Sequence, residues 1–172
     1  AKRLATRGEW TPDLAMAGGF STEDHVFKVL AMGAPYFKAV CMGRALMIPG
    51  FVGSNIEGVV GGGSRPGLWN ELPTPVKKFG QTPEEIFVTH STLKEKYGTR
   101  MDKIPLGSVA IYTFVDKLKA GLTQFMAGAR SFRLDTLNRS DIVALTEEAA
   151  KVSGIQYTKD AFKEEAERIL DS

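Results

Sequence analysis

The sequence predicts an α/β fold: the C-terminal β–α–β–α portion of a (β/α)8 (TIM) barrel, followed by a mostly α-helical extension. Three observations predict it. Two short apolar runs, residues 14–17 and 37–42, end in glycine turns at Gly18-Gly19 and Gly43. A helical pattern follows each turn, so the strands are parallel and joined by a right-handed crossover. Beyond residue 80, apolar residues recur at helical rather than alternating spacing.

The elements follow in order. Residues 2–8 read as the last turn of a helix, with Lys2, Arg3 and Arg7 near Gly8. Leu14–Ala17 is an apolar run before two glycines, hence a buried strand. Ser21 is expected to cap the next helix, with Asp24 at capping-box spacing. Val26, Phe27, Val29 and Leu30 give that helix its buried side, and Gly33 ends it. Residues 37–42 form the second strand, and residues 43–48 open a helix before Pro49-Gly50.

Seven of the 18 residues from 50 to 67 are glycine, which reads as a loop. Thr82-Pro83-Glu84-Glu85 is a helix start, with a capping Thr, Pro at the first position and Glu three residues on. That helix is expected to run to Tyr97 and stop at Gly98. Ser108 begins the longest helix, with Ile111, Phe114, Val115, Leu118, Leu122, Phe125 and Met126 on one face. Residues 135–138 and 141–145 suggest short helical turns, and residues 147–153 and 159–170 read as closing helices. Residues 1–50 thus hold the last two strand–helix units of the barrel, 51–80 a Gly/Pro-rich loop and 81–172 a helical C-terminal extension.

The chain of 172 residues is 43% apolar and 24% charged, ordinary for a globular domain with a real core. Its net charge of +2 gives no basic footprint, so nucleic acid is not an expected partner. The apolar runs are far short of a membrane span, and no signal-peptide pattern opens the chain. No membrane partner is expected, and the expected compartment is the cytoplasm. Cys41 is the single cysteine, which excludes an internal disulfide and any cluster needing several cysteines. Its neighbours Ala39, Val40 and Met42 predict a buried, inert thiol.

The glycine turns carry the chemistry. Glycine permits positive φ and close approach of a ligand to the backbone. A helix start beside it presents free N–H groups and a dipole that favour an anion. Met42-Gly43-Arg44 offers a second such turn one strand over, and Arg44 adds a permanent charge suited to phosphate. A phosphate site at the last two strands is a recurring property of (β/α)8 barrels. The alternative is that both turns are purely structural. His25 in the following helix either donates to the anion or serves an exposed or capping role.

Other motifs read more plainly. Gly61-Gly-Gly-Ser-Arg65 is either an anion nest or a flexible loop, and it lacks the Gly-Lys-Ser/Thr ending of a P-loop. Trp69 is expected to anchor the loop, which could alternatively serve as a lid. His90 has no ligand partner at i+4, only Lys94, so no metal is expected there. Glu84-Glu85 and Glu147-Glu148 are first-turn acids favoured by the helix dipole. Asp13 precedes a strand, at the wrong end for barrel chemistry.

Ala17-Gly-Gly-Phe-Ser-Thr-Glu-Asp-His25, Ala31-Met-Gly-Ala34 and Met42-Gly-Arg-Ala-Leu46 resemble strands seven and eight of the FMN-binding synthase domain of the glutamate synthase family. Phe114…Leu118…Gly121-Leu122, Met126-Ala-Gly-Ala-Arg130 and Leu137-Asn-Arg-Ser-Asp-Ile142 resemble the helical segment that follows the barrel in that family. The resemblance covers about residues 1–50 and 104–145. It implies FMN as cofactor, with Gly18 and Gly19 giving backbone contacts to its phosphate and Gly43 and Arg44 doing so from the second turn. It implies reductive amination of 2-oxoglutarate to glutamate as the chemistry of the full-length protein.

Glutamate synthases carry a three-cysteine iron–sulfur cluster just after strand eight. Here residues 50–79 contain no cysteine, so no iron–sulfur cluster is expected in this chain. Family contacts to the flavin ring and to 2-oxoglutarate come mostly from strands one to six, so no catalytic residue is placed here. A full barrel takes about 250 residues, and only residues 1–50 read as barrel. The chain alone is therefore expected to be inactive. Its expected partners are the remainder of the barrel or a second copy, with a small-molecule substrate. The alternative is a non-catalytic oligomerisation or interaction module, because exposed sheet edges recruit other chains.

Overall fold

The computed structural model describes residues 1–60 and 69–172. The candidate anion nest at 61–65 and the loop at 66–68 lie outside the described residues. The described chain is mixed helix and strand, mostly helical, with one two-stranded parallel sheet. It divides into two compact units, Ala1–Cys41 with Gly121–Ser172, and Met42–Ala120.

The first unit opens with α1 (Lys2–Thr6), then β1 (Leu14–Ala17), α2 (Glu23–Gly33) and β2 (Phe37–Cys41). β1 and β2 are parallel, with Met16 opposite Val40 and Ala17 opposite Cys41, and the register shifts between Leu14 and Ala15. β–α–β is the order that the alternation of apolar runs and helical spacing predicted. The expected burial of the strands does not hold: Ala15, Met16, Ala17 and Cys41 are exposed. A strand covered on both faces needs more layers than two strands and one helix provide. The Cys41 thiol is therefore open to solvent, not a core group.

Thr22, not Ser21, stands at the N-cap of α2. Its hydroxyl donates to Asp24 Oδ1 at 2.5 Å instead of accepting from the helix amides. The helix ends at Gly33, where only glycine fits beside β2: a Cβ there would lie 1.5 Å from the Phe37 ring. Phe27, Leu30 and Leu137 form the core of this unit, with Val26, Phe37, Val40, Leu122, Met126 and Ile142 packed against it. Phe27 also stacks on Phe125, with ring centroids 5.5 Å apart.

Leu122, Phe125 and Met126 belong to the last turns of the longest helix, Leu106–Gly128. That helix closes on Arg130, whose φ of 55° is left-handed. The Arg130 amide donates to Ala127 and the Ser131 amide to Met126, a Schellman-type stop with arginine where glycine is usual. Two 3-10 turns, Leu134–Thr136 and Arg139–Asp141, flank the buried Leu137. Residues 142–145, expected to be helical, are extended instead, and Ala144 bridges to Tyr157. The helix at Glu147–Ser153 has the expected bounds and is capped by Thr146, which accepts from the Ala149 amide at 3.1 Å. The expected closing helix is two helices, Thr158–Ala161 and Lys163–Leu170, broken at Phe162.

In the second unit, α3 (Arg44–Val60) runs through Pro49 and the glycines at 50, 53 and 58, where a loop from residue 51 was expected. Gly50 and Gly53 serve helix packing. A Cβ on Gly53 would lie 2.5 Å from the Leu106 carbonyl oxygen, and one on Gly107 would lie 2.8 Å from the Gly50 carbonyl oxygen. Glu57 accepts from the Leu106 amide at 3.2 Å, so an acid caps the start of the long helix.

Three further helices follow α3 before the long one: α4 (Thr74–Lys77), α5 (Pro83–Ile86) and α6 (His90–Tyr97). The long helix Leu106–Gly128 is therefore α7, and the three that close the chain are α8, α9 and α10. Thr82 caps α5 as the sequence predicts, and Glu85 reciprocates by accepting from the Gln81 amide at 2.6 Å. The expected helix to Tyr97 is interrupted, because Phe87 takes an extended conformation and is buried. Trp69 is buried, as expected of a loop anchor, among Ile56, Leu72, Met101, Leu106 and Val109. On α7 the buried positions are Leu106, Gly107, Val109 and Ala110. Ile111, Val115 and Phe125 of the expected buried stripe are exposed.

Candidate functional site

The double-glycine turn is where chemistry collects. β1 delivers the chain to Gly18 and Gly19, whose φ values of 106° and 74° are both positive. A Cβ at either position would meet nothing within 4 Å, so the backbone faces open space. The chain then enters α2 at Glu23, with its first-turn amides not capped by the Thr22 side chain.

Gly18, Gly19 and Phe20 line a cleft of about 470 Å³ with Met16, His25, Lys28, Val29, Met32 and Phe37. Its walls are largely apolar, and the titratable side chains in them are His25 and Lys28. His25 Nδ1 is buried and has no hydrogen-bond partner among the described residues. The histidine is half-buried, neither the exposed nor the capping residue that its position suggests. Lys28 donates to Asp24 Oδ2 at 2.7 Å. That hydrogen bond, then the one from Thr22, holds the Asp24 carboxyl well below the usual carboxylate range. Asp24 is thus charged but locally neutralised, and Glu23, the other first-turn acid, packs beside Gly121.

Gly43 and Arg44 lie in the second unit, immediately after β2. Gly43 does not take a positive φ, so its turn lacks the geometry of the first. It acts as the start of α3, its carbonyl accepting from the Leu46 and Met47 amides at 3.0 and 3.2 Å. Gly43 and Arg44 are both exposed. The structure therefore brings Gly18, Gly19 and His25 to one cleft and describes Gly43 and Arg44 separately.

Two residues were missed by sequence reasoning. Lys28 lies one helical turn beyond Asp24, an i,i+4 spacing that signals the ion pair but not its place in the cleft. Arg139 donates to the Met32 carbonyl at 2.7 Å and to the Ser153 carbonyl at 2.5 Å, closing the C-terminal ends of α2 and α8. Nothing local announces that role.

His90, read as an unlikely metal ligand, is fully buried, with Nδ1 3.1 Å from Glu84 Oε1. Among the described residues no group of three or more His, Cys, Asp or Glu is placed to hold a metal ion. Among the same residues no helix is long and apolar enough to cross a membrane. Comparison with protein-family models, with curated proteins and with solved structures finds no match to this chain.

Proposed function

We propose that this chain is the C-terminal part of a glutamate synthase-like FMN-dependent oxidoreductase of the cytoplasm, supplying the phosphate side of the flavin site. In this reading β1, α2, β2 and α3 are the last two strand–helix units of a (β/α)8 barrel. The remainder of the barrel, or a second copy, completes the fold. The observation that supports it best is the turn at Gly18 and Gly19: two left-handed glycines between a strand and an 11-residue helix, opening on a cleft that His25 and Lys28 also line. These residues fit a phosphate, which needs donors and room for its oxygens.

Gly18 and Gly19 offer main-chain N–H groups to the phosphate, and Gly43 and Arg44 contribute an amide and a guanidinium from the second turn. When bound, FMN supplies the redox chemistry, by resemblance the reductive transfer of ammonia nitrogen to 2-oxoglutarate. The residues of this chain bind and orient the cofactor, and its substrate is a small molecule. FMN titration of the complete protein, followed by flavin fluorescence, tests this. Gly19→Asp places a negative side chain in the anion site, and Arg44→Ala removes a charge, so both weaken FMN binding. Unchanged affinity in both variants overturns the reading.

One observation favours a second reading, an oligomerisation or interaction module with structural glycine turns. Both strands are short, and three of the four β1 residues are exposed although all four are apolar. A two-stranded parallel sheet leaves two unpaired edges, the kind of surface that recruits another chain. A colourless oligomer that ignores FMN selects this reading.

A further inference from the structure

We infer that the protein pairs with a second copy of itself by exchanging its C-terminal helix, so that α10 of each copy lies in an apolar groove of the other. The pairing is independent of the flavin reading. It joins two surfaces of the first unit that the fold leaves open. The first is α10 (Lys163–Leu170), none of whose residues is buried. Phe162 at its N-cap, Ala166 and Ile169 recur at i, i+4 and i+7, and Leu170 adjoins them. Glu164, Glu167 and Arg168 fall on the opposite side by the same spacing. The helix is amphipathic, and its apolar face is in water.

The second surface is a groove of about 570 Å³. Met32 of α2, Ile142 and Leu145 of the extended segment, Val152 of α8 and Ile155 line it. Met32, Leu145 and Val152 are exposed although all three are apolar. Lys28, which also lines it, is paired with Asp24 at 2.7 Å, so its charge is already met. No residue of α10 in the same chain lines the groove. The chain leaves the groove at Ile155 and is fastened beside it through Thr158, whose amide donates to the Ala144 carbonyl at 2.9 Å. One helical turn later it breaks at Phe162, the position of a hinge.

Pattern and size match. A helix that binds in a groove does so through an apolar face with anchors one and two turns apart, which is the spacing of Phe162, Ala166 and Ile169. Phe162, Ile169 and Leu170 on the helix, with Met32, Leu145 and Val152 in the groove, leave on the order of 800 Å² of each copy in water, close to what a stable interface takes from each partner. A foreign helix would cover the groove alone, about half of that area, and leave α10 bare. Of the partners outside the chain, a second copy covers both surfaces, because each copy brings one helix and one groove. The exchange is then reciprocal about a two-fold axis, the closed form of a self-complementary contact.

Sedimentation equilibrium of the complete protein and two variants tests this. Leu170→Asp alters the helix and Val152→Asp the groove, and both side chains are 83% exposed in the single chain, so neither change disturbs a core. The wild type is expected to be a dimer, and each variant should associate at least about tenfold more weakly. An equimolar mixture of the two should associate more tightly than either alone, because one variant keeps its groove and the other its helix. Variants as dimeric as the wild type, or a mixture no tighter than its components, overturn the inference. Amide exchange in α10 of the wild type should slow as protein concentration rises through the dimer range, a readout that needs no variant. Exchange independent of concentration overturns the inference. So does a monomeric wild type, in which slow exchange in α10 would mean that the helix closes on its own groove and fast exchange that its face stays bare.

Discussion

Gly53 and Gly107 meet at a helix crossing with no room between them: a Cβ on Gly53 would lie 2.8 Å from the Gly107 Cα and 2.5 Å from the Leu106 oxygen. Both atoms belong to backbone, so neither can swing aside as the end of a side chain would. Gly53→Ala is expected to destabilise the protein by about 1–3 kcal/mol, the usual cost of overpacking. Gly58, on the same helix, has nothing within 4 Å of its Cβ direction. Gly58→Ala should stabilise by about 0.5–1 kcal/mol through helix propensity alone. Thermal denaturation of the two variants checks the opposite signs.

Arg130 occupies the left-handed stop of α7 with φ 55°. An L-residue there pays about 1–2 kcal/mol that glycine does not. Glycine also loses more chain entropy on folding, so Arg130→Gly should stabilise by somewhat less, about 0.5–1 kcal/mol. A lower unfolding midpoint in denaturant would show that the arginine side chain contributes more than its backbone strain removes.

Arg139→Ala removes the donors that close two helix ends, at Met32 and Ser153. A cation at a helix C-terminus is favourable on both counts, through the hydrogen bond and the dipole. The expected loss is about 1–2 kcal/mol. Arg139→Lys should recover only part of it, because one ammonium on a flexible stem does not reproduce a fork reaching two carbonyls. Hydrogen exchange should speed up at the last turns of α2 and α8 in particular.

Asp24 gives a pH dependence with a defined sign. Its carboxyl is held low by Lys28 first and Thr22 second. A carboxyl depressed in the folded state adds stability that is complete above the ordinary carboxylate range and disappears as pH falls through the folded-state value. NMR titration of Asp24 should give a midpoint below the ordinary range in the wild type and a higher one in Lys28→Met. Asp24→Asn should flatten the loss of stability toward acid. The pair is exposed to solvent, so high salt should diminish the difference.

Much of the first unit was legible because its signals are local. The apolar run Leu14–Ala17, the glycines that follow and the spacing of Phe27 and Leu30 specify strand, turn and helix within 20 residues. Thr82 caps the helix that its spacing announces. What failed was non-local. Gly50, Gly53 and Gly58 read as loop because composition cannot reveal that another helix presses against two of them. Phe87 breaks a helical pattern because its ring belongs to a core assembled elsewhere in the chain. Cys41 has apolar neighbours in sequence, yet no layer covers it in space.

The site divides the same way. Gly18 and Gly19 follow from strand–glycine–helix order, and their conformations bear out the positive φ that the motif needs. Gly43 sits in the same sequence pattern, yet its backbone is ordinary. His25 lines the same cleft as Phe20 and Met16, a neighbourhood that periodicity alone does not supply.

The discontinuity of the first unit sets an order of events at the ribosome. Residues 42–120 are contiguous, so that unit has all its contacts as soon as its last residue emerges. β1, α2 and β2 are made first but wait for Leu122, Leu137 and Arg139 to be synthesised. At ordinary elongation rates that wait is on the order of ten seconds. During it, an apolar strand pair stands unfinished, the interval in which chaperones have most to do. A chain interrupted before residue 121 would keep its middle and never secure its beginning.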